Sequence, residues 1–403
     1  MRIWIAATLV LAATVLARRC QASGFLIYDL SGEAIGRASA VSASTSEPAA
    51  VWFNPAALPF MGGASASAGG VLVTARSTFS PAGGGPDTNS DRGNFFLPTL
   101  FANAALSDRI AVGIGVYTAF GIGIRWPGDW VGRQSAIAAS LETLAFNPTV
   151  AVKLHRRFSL AVGFDAVRAV VDFTNGLPDL VGGDVRLAGG TWGYGFNLGA
   201  LYRVLPERLH VALTYRSRVR LGFDGRADFD PTNPDFIPAL PDQPATATII
   251  LPDMITLGLM ARPRADLVLG LDVNYVRWSS YSRIDIDFAT APSRTIEPDG
   301  RDTFTVRAGA DFRLPGRALH LRGGLIYDRG AIPSEGLGPG LPDADRLDAT
   351  AGVGATRGRL TGDLGYMLVY FLPATATTGR EGPEGTYRTL AQLLGVTIRA
   401  SWP

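Results

Sequence analysis

TWGYGFNLGALYR, residues 191–203, decides the fold. Trp192, Tyr194, Phe196, Leu198 and Ala200 point one way; Thr191, Gly193, Gly195, Asn197 and Gly199 point the other. Successive side chains of an extended chain take opposite faces, so this is a strand with one apolar face and one polar or glycine face. The same period of two recurs in residues 209–216, 303–312 and 393–402. A soluble sandwich also alternates, but three features point to a membrane barrel. The alternating stretches run to about ten residues or more, longer than ordinary strands. Trp192, Tyr194, Tyr215, Tyr275, Tyr327, Tyr366 and Tyr370 fall near strand ends on the apolar face, as girdle residues do. Tight turns at Pro206-Glu207 and Pro315-Gly316 alternate with long Pro/Gly-rich loops at 224–245, 332–345 and 373–386. The expectation is an all-β, transmembrane antiparallel barrel of roughly 14 strands, an even number as in bacterial barrels. The strands begin near residues 66, 93, 109, 139, 157, 190, 207, 247, 265, 301, 317, 346, 359 and 387.

Composition agrees. The chain of 403 residues is 47% hydrophobic and 18% charged, with 48 Gly and 26 Pro. The charged share is below that of ordinary soluble domains, which is about 25%. Yet no clean apolar run reaches the ~18 residues of a membrane helix. A barrel explains both facts, because only every second residue faces lipid.

The opening residues read as a secretory signal. Arg2 precedes an apolar or small stretch from Ile3 to Leu16, and Cys20-Gln21-Ala22 offers small residues for cleavage before Ser23. Arg18-Arg19 before Cys20 argues against a lipoprotein. Cleavage removes the single cysteine, so no disulfide can form. It also removes Arg2, Arg18 and Arg19, leaving 34 basic and 35 acidic residues and a net charge of −1. Such a balance gives nucleic acid nothing to bind. Lys153 is the only lysine, so capture of an anionic head group would fall to arginine. The chain therefore divides into a signal peptide, 1–22, an intermediate segment, 23–63, and a barrel, 64–403. Segment 23–63 is rich in Ala, Ser and Gly, lacks sustained alternation and contains Asn54-Pro55. It is either a periplasmic tail or a plug inside the barrel.

No enzyme, cofactor or metal site is expected. The chain has neither GxSxG nor HExxH, and His155, His210 and His320 stand far apart near predicted turns. Gly113-Ile114-Gly115 and Gly121-Ile122-Gly123 open like a dinucleotide fingerprint, but Thr118 and Trp126 stand where its third glycine belongs.

The stretch GFLIYDLSGEAIGRASAVSASTSEPAAVWFNPAAL, residues 24–58, resembles the N-terminal hatch of the FadL family of outer-membrane transporters. That family includes long-chain fatty-acid channels and TodX-type aromatic-hydrocarbon channels. The shared pattern is an aromatic after the leading glycine (Phe25), a Gly-x-Ala step (Gly36, Ala38) and Trp52-x-Asn54-Pro55-Ala56. Trp130-Val131-Gly132-Arg133-Gln134, Asn147-Pro148, residues 192–203 and 213–225, Leu251-Pro252-Asp253-Met254, Trp278-Ser279 and residues 341–346 extend the resemblance over nearly the whole mature chain. The end departs from the pattern: Trp402 is followed by Pro403, where barrels finish on an aromatic for the assembly machinery.

The resemblance implies a hatch bearing Phe25, Trp52, Asn54, Pro55 and Ala56, and a wall opening at a kinked early strand. Proline cannot donate a ladder hydrogen bond, so Pro98 and Pro148 are the candidate kinks. It also implies inward arginines for a carboxylate. Arg168 reaches the lumen only if a bulge near Ala166–Val167 reverses its parity; Arg301 and Arg307 share a parity. The alternative is that such arginines pair with Asp165, Asp272 and Asp311. The implied function is passive, ligand-gated passage of hydrophobic compounds across the Gram-negative outer membrane, by a monomer surrounded by lipid and lipopolysaccharide. The cargo would be a fatty acid or a hydrocarbon. A general porin for polar solutes is the alternative, and it gives no reason for a hatch.

Overall fold

Alternation is carried through the strands as a physical division between lipid and lumen. The computed structural model describes residues 24–403, so the cleavage site and Cys20 lie outside the described residues. The strands are β1 (Ala64–Pro81), β2 (Gly93–Ala105), β3 (Ile110–Tyr117 and Gly121–Arg125), β4 (Ala138–His155) and β5 (Phe158–Gly176). They continue as β6 (Asp184–Leu205), β7 (Leu209–Arg216 and Val219–Asp230), β8 (Gln243–Leu251 and Met254–Arg264) and β9 (Leu267–Val276 and Ile284–Phe288). The ring is completed by β10 (Arg294–Ile296 and Thr303–Arg313), β11 (Leu319–Asp328), β12 (Arg346–Arg357), β13 (Leu360–Phe371 and Ala374–Ala376) and β14 (Gly385–Trp402). Each pairs antiparallel with the next, and β14 pairs with β1 from Ala64↔Trp402 to Pro81↔Gly385. That seam closes the barrel and leaves no free edge.

The outward parity is apolar and exposed, as at Leu364, Tyr366, Leu368 and Tyr370 on β13 and Leu394, Val396 and Ile398 on β14. The inward parity is buried and largely small or polar, as at Thr389, Ala391 and Thr397. Tight turns gather at the end where β1 begins and β14 stops, and long connections gather at the other. Several strands outrun the hydropathy reading. β7 reaches Asp230 and β8 starts at Gln243, so that loop shrinks to residues 231–242. These extensions stand above the lipid, where a strand needs no apolar face.

The N-terminal segment occupies the lumen. Helix α1 (Gly32–Gly36) packs on β11–β14, while the 3-10 turn Pro55–Phe60 packs on β2–β6. One short segment that touches opposite arcs of the ring has to lie inside it. Ser31 caps α1 by accepting the Ala34 N–H, and Phe25, Leu30, Val51, Trp52 and Phe53 are buried. Ion pairs and hydrogen bonds tie the segment to the wall. Glu33 meets Arg37 and Arg399, each at 3.2 Å, and Asp272 accepts the Ser42 amide at 2.9 Å and hydroxyl at 2.6 Å. Close approach requires wall glycines: a Cβ on Gly270 or Gly309 would stand 2.0 Å from the carbonyl oxygen of Ala40 or Arg37.

Gly309→Val tests this seat, since valine suits a strand and leaves the ladder intact. The variant should keep the heat-modifiable gel migration of a closed barrel while residues 24–60 become open to protease. Resistance equal to wild type would show that the seat does not hold the segment.

Candidate functional site

The outer half of the lumen holds a cavity of about 150 Å³ lined mainly by apolar side chains, among them Ile122, Val171, Phe223, Ile249 and Ile286. Strands β3 to β9 deliver these residues from their inward parity. Arg294 also lines it, from the short outer segment of β10, where it stands opposite Ile286. Among the described residues the Arg294 side chain has neither a hydrogen bond nor an ion pair. Glu381 acts on it electrostatically but is already engaged, accepting the Glu297 N–H at 2.8 Å. Arg294 was not singled out from the sequence, because its short strand lies beyond the alternating stretches.

Phe25 packs behind Tyr281, which lines the cavity. Its ring meets Trp278 and Tyr281 at 4.9 Å each and Phe120 at 6.0 Å, all edge to face. The backbone beside it acts as a short strand: Ile27 N–H donates to Ala119 at 2.7 Å, and Gly121 N–H donates to Phe25 at 2.8 Å. This is the place where β3 is interrupted, at residues 118–120. On the opposite flank the Thr143 hydroxyl of β4 donates to the Phe120 carbonyl at 2.5 Å.

The wall is discontinuous here. β2–β3 pairing runs from Ala105↔Ala111 to Leu100↔Val116 and ends. Ala105 N–H donates to Gly63 and Leu106 N–H to Ile110, so even-numbered residues of β2 face β3. Pro98 is the next even position beyond Leu100. Its missing N–H therefore points to the side where pairing lapses.

Pro148 behaves differently, and the expectation of an opening there is corrected. Lys153 N–H donates to Arg109, just ahead of β3, so even-numbered residues of β4 face β5. The β4–β5 register passes from Phe146↔Ala166 to Thr149↔Gly163 without a shift. Asn147 Nδ2 donates to the Phe164 carbonyl at 3.0 Å, replacing the donor that Pro148 lacks. The ladder is healed by a side chain.

The three predicted arginines do not come together. Arg307 faces the lumen but is taken by the N-terminal segment, 3.5 Å from Asp29 and 4.5 Å over the Tyr28 ring. Arg301 is exposed at the outer end, donating from Nε to the Gly330 carbonyl at 3.2 Å. Arg168 is a correction. β5 keeps one register along its whole length against β6, so no bulge turns the side chain. It stays on the outward parity opposite Trp192, and its guanidinium lies over Gly190. Next to a girdle tryptophan it needs no bulge to escape hydrocarbon. Asp165 and Asp311 do pair with arginines, Arg216 and Arg322, whereas Asp272 is taken by Ser42.

The remaining residues expected of a hatch cluster lower down. Trp52 lies under the Arg216 guanidinium at 4.2 Å. Asn54 donates to Ser42 at 3.0 Å and to Ala200 of β6 at 3.2 Å, Pro55 begins the 3-10 turn, and Ala56 accepts the Ser159 hydroxyl at 2.5 Å. Of the five, Phe25 is the one bonded across the interruption, while Trp52 meets Tyr117 just before it at 5.0 Å.

A closed 14-strand barrel with an apolar lumen pocket and an internal segment defines an outer-membrane channel. The family model for outer membrane protein transport protein (OMPP1/FadL/TodX) matches residues 13–401, and the chain belongs to that family. It is similar to the long-chain fatty acid transport protein of Escherichia coli K12, 24% identical over 388 residues, spanning 85% of this chain and 86% of that one. Outer membrane protein P1 of Haemophilus influenzae is 24% identical over 399 residues, with 86% and 85% covered. A Pseudomonas aeruginosa FadL homologue shares the fold with a TM-score of 0.87 at 19% identity, covering 94% of this chain and all of that one. The Ralstonia pickettii toluene transporter TbuX gives 0.71 at 18% identity, with 94% and 100% covered. The chain is thus an outer-membrane protein of Gram-negative type.

The Asn147 repair can be tested by a cycle. Asn147→Ala leaves a wall carbonyl unpaired and should lower stability by about 1–3 kcal/mol. In a Pro148→Ala background, which restores the amide, the same change should cost much less in thermal unfolding. Equal losses in both backgrounds would reject the repair.

Proposed function

We propose that this protein takes up hydrophobic compounds through the outer membrane by passive diffusion, with residues 23–63 as a hatch inside the barrel 64–403. The observation that carries the reading is the apolar cavity whose lining residue Tyr281 packs on Phe25, the backbone of which is bonded to the interrupted strand β3 beside the unpaired upper part of β2. A solute leaves water at the outer mouth, rests in the cavity, and passes when the arm at Phe25 yields. Its exit is the gap at Pro98, which leads to lipid instead of water. No covalent step is involved. A porin for polar solutes would want a wet lumen, and an apolar pocket supplies the wrong solvent. The working unit in this reading is a monomer in lipid and lipopolysaccharide, inserted by the barrel-assembly machinery.

Arg294 favours an amphiphile with an anionic head over a plain hydrocarbon. An unpaired guanidinium at an apolar cavity costs stability unless it has a use, and a carboxylate would satisfy it bidentately. Arg294→Gln should weaken oleate binding about tenfold or more and leave toluene binding nearly unchanged, by titration of the purified protein. Equal losses for both ligands would remove the head-group role and leave a hydrocarbon channel. Loss of neither would place the binding site elsewhere.

A further inference from the structure

The six tight turns join β2 to β3, β4 to β5, β6 to β7, β8 to β9, β10 to β11 and β12 to β13, all at one end of the barrel. Short turns mark the periplasmic end of such barrels. With their flanking residues (105–110, 153–158, 203–209, 262–267, 313–319 and 357–360) they hold twelve basic and three acidic residues. The connections at the other end, residues 82–92, 126–137, 177–183, 231–242, 289–293, 329–345 and 377–384, hold four basic and eleven acidic residues. A chain with 37 basic and 35 acidic residues is therefore polarised along the barrel axis.

Most of the basic charge at the rim has no counter-charge. Arg203 and Arg262 share Glu207, at 2.9 and 4.0 Å, and Arg264 meets Asp266 at 2.7 Å. Lys153 donates to the Pro59 carbonyl at 3.1 Å. The other eight are all arginine and all exposed: one each on the β2–β3 and β6–β7 turns, two each on β4–β5, β10–β11 and β12–β13. Among the described residues none of the eight forms an ion pair. Apolar side chains stand beside four of these turns on the lipid-facing parity, where Leu106, Ile110, Leu154, Leu205 and Leu360 are exposed. Hydrocarbon thus extends to the foot of the strands. The arginines, within three residues of those leucines or isoleucine, lie at the level where a leaflet places its phosphates.

We propose that this rim binds anionic phospholipids of the periplasmic leaflet. The guanidinium fork matches phosphate oxygens, and the neighbouring leucines take the acyl chains. The charges are spread over five turns around the ring, so they suit a partner that surrounds the barrel. A folded acidic protein would cover one arc and leave the others unanswered. The inference depends on neither the cargo nor the wall opening.

The test uses purified protein in phosphatidylcholine vesicles with a trace of spin-labelled phosphatidylglycerol or spin-labelled phosphatidylcholine. Electron paramagnetic resonance reads the motionally restricted fraction of each label. The anionic label should be favoured at the protein surface about fivefold or more at low salt. Most of that preference should vanish in about 1 M NaCl. The combined change Arg156→Gln, Arg157→Gln, Arg357→Gln and Arg359→Gln should at least halve the preference, and lysine at the same four positions should keep it. Heat-modifiable migration verifies closed barrels, and if the glutamine variant fails to fold, the salt dependence and the lysine variant decide. Wild type without a preference would overturn the proposal and give the rim to an acidic periplasmic protein. A preference that survives salt or the four glutamines would overturn it too, as would an equal loss from Arg168→Gln, Arg218→Gln and Arg220→Gln toward the outer end.

Discussion

Within lipid every backbone N–H and C=O of a spanning chain has to find its partner inside the protein. This barrel interrupts its ladder in the early strands, and two of the interruptions are answered by substitutes. At Pro148 the substitute is Asn147, donating to Phe164. At residues 118–120 of β3 there are two: the Thr143 hydroxyl on the β4 flank, and the backbone of Phe25 and Ile27 on the other. The upper part of β2 beside Pro98 is left with β1 alone. The location of the candidate passage follows from which substitutes are permanent and which can leave.

A side chain anchored on its own strand, like Asn147 or Thr143, cannot move away without the strand. The arm can. Its bonds to β3 are made by the backbone of a segment outside the barrel ladder, and the same groups could be re-satisfied by water if a solute displaced Phe25. The aromatic contacts of Phe25 with Trp278, Tyr281 and Phe120 are apolar. An apolar solute can replace them at little cost, whereas a polar solute cannot. In the proposed route, selectivity for hydrophobic cargo would arise where the ladder is mended by an arm.

The barrel was legible in the sequence because lipid imposes a strict period of two, and the starts of β2, β4, β5 and β12 fall within a residue of the reading. The strand extensions above the membrane were not legible, since water imposes no such period. Pro98 and Pro148 look alike in sequence. They differ only in whether a neighbouring side chain can reach the orphaned carbonyl, which depends on register across strands. Arg168 was misplaced for a related reason. A charge on the apolar parity suggested a bulge, but its height beside Trp192 was the missing quantity. The break in β3 carries no proline and keeps an aromatic and small-residue run through Tyr117–Gly121, so nothing local announced it. Arg294 became visible only when strand pairing set it opposite Ile286.

The internal segment is not uniform in how it is held, and this bears on what moves. From Gly32 to Phe60 it is wedged. Wall glycines admit its backbone at contact distance, Glu33 and Arg37 join a network with Arg322, Asp311, Asp363 and Arg399, and Asn54 bonds to β6. Breaking one member of a buried ionic network strands the rest without a partner, which costs more than the network contributes when intact. Residues 24–28 have no such network on β3, only the short backbone bridge and ring contacts. Withdrawal of the whole segment would have to break every wedge together, while a shift of the arm breaks one bridge. In the proposed route the arm stands between Tyr281 of the cavity lining and the unpaired flank of β2, so the least costly motion is also the one that would open the wall there.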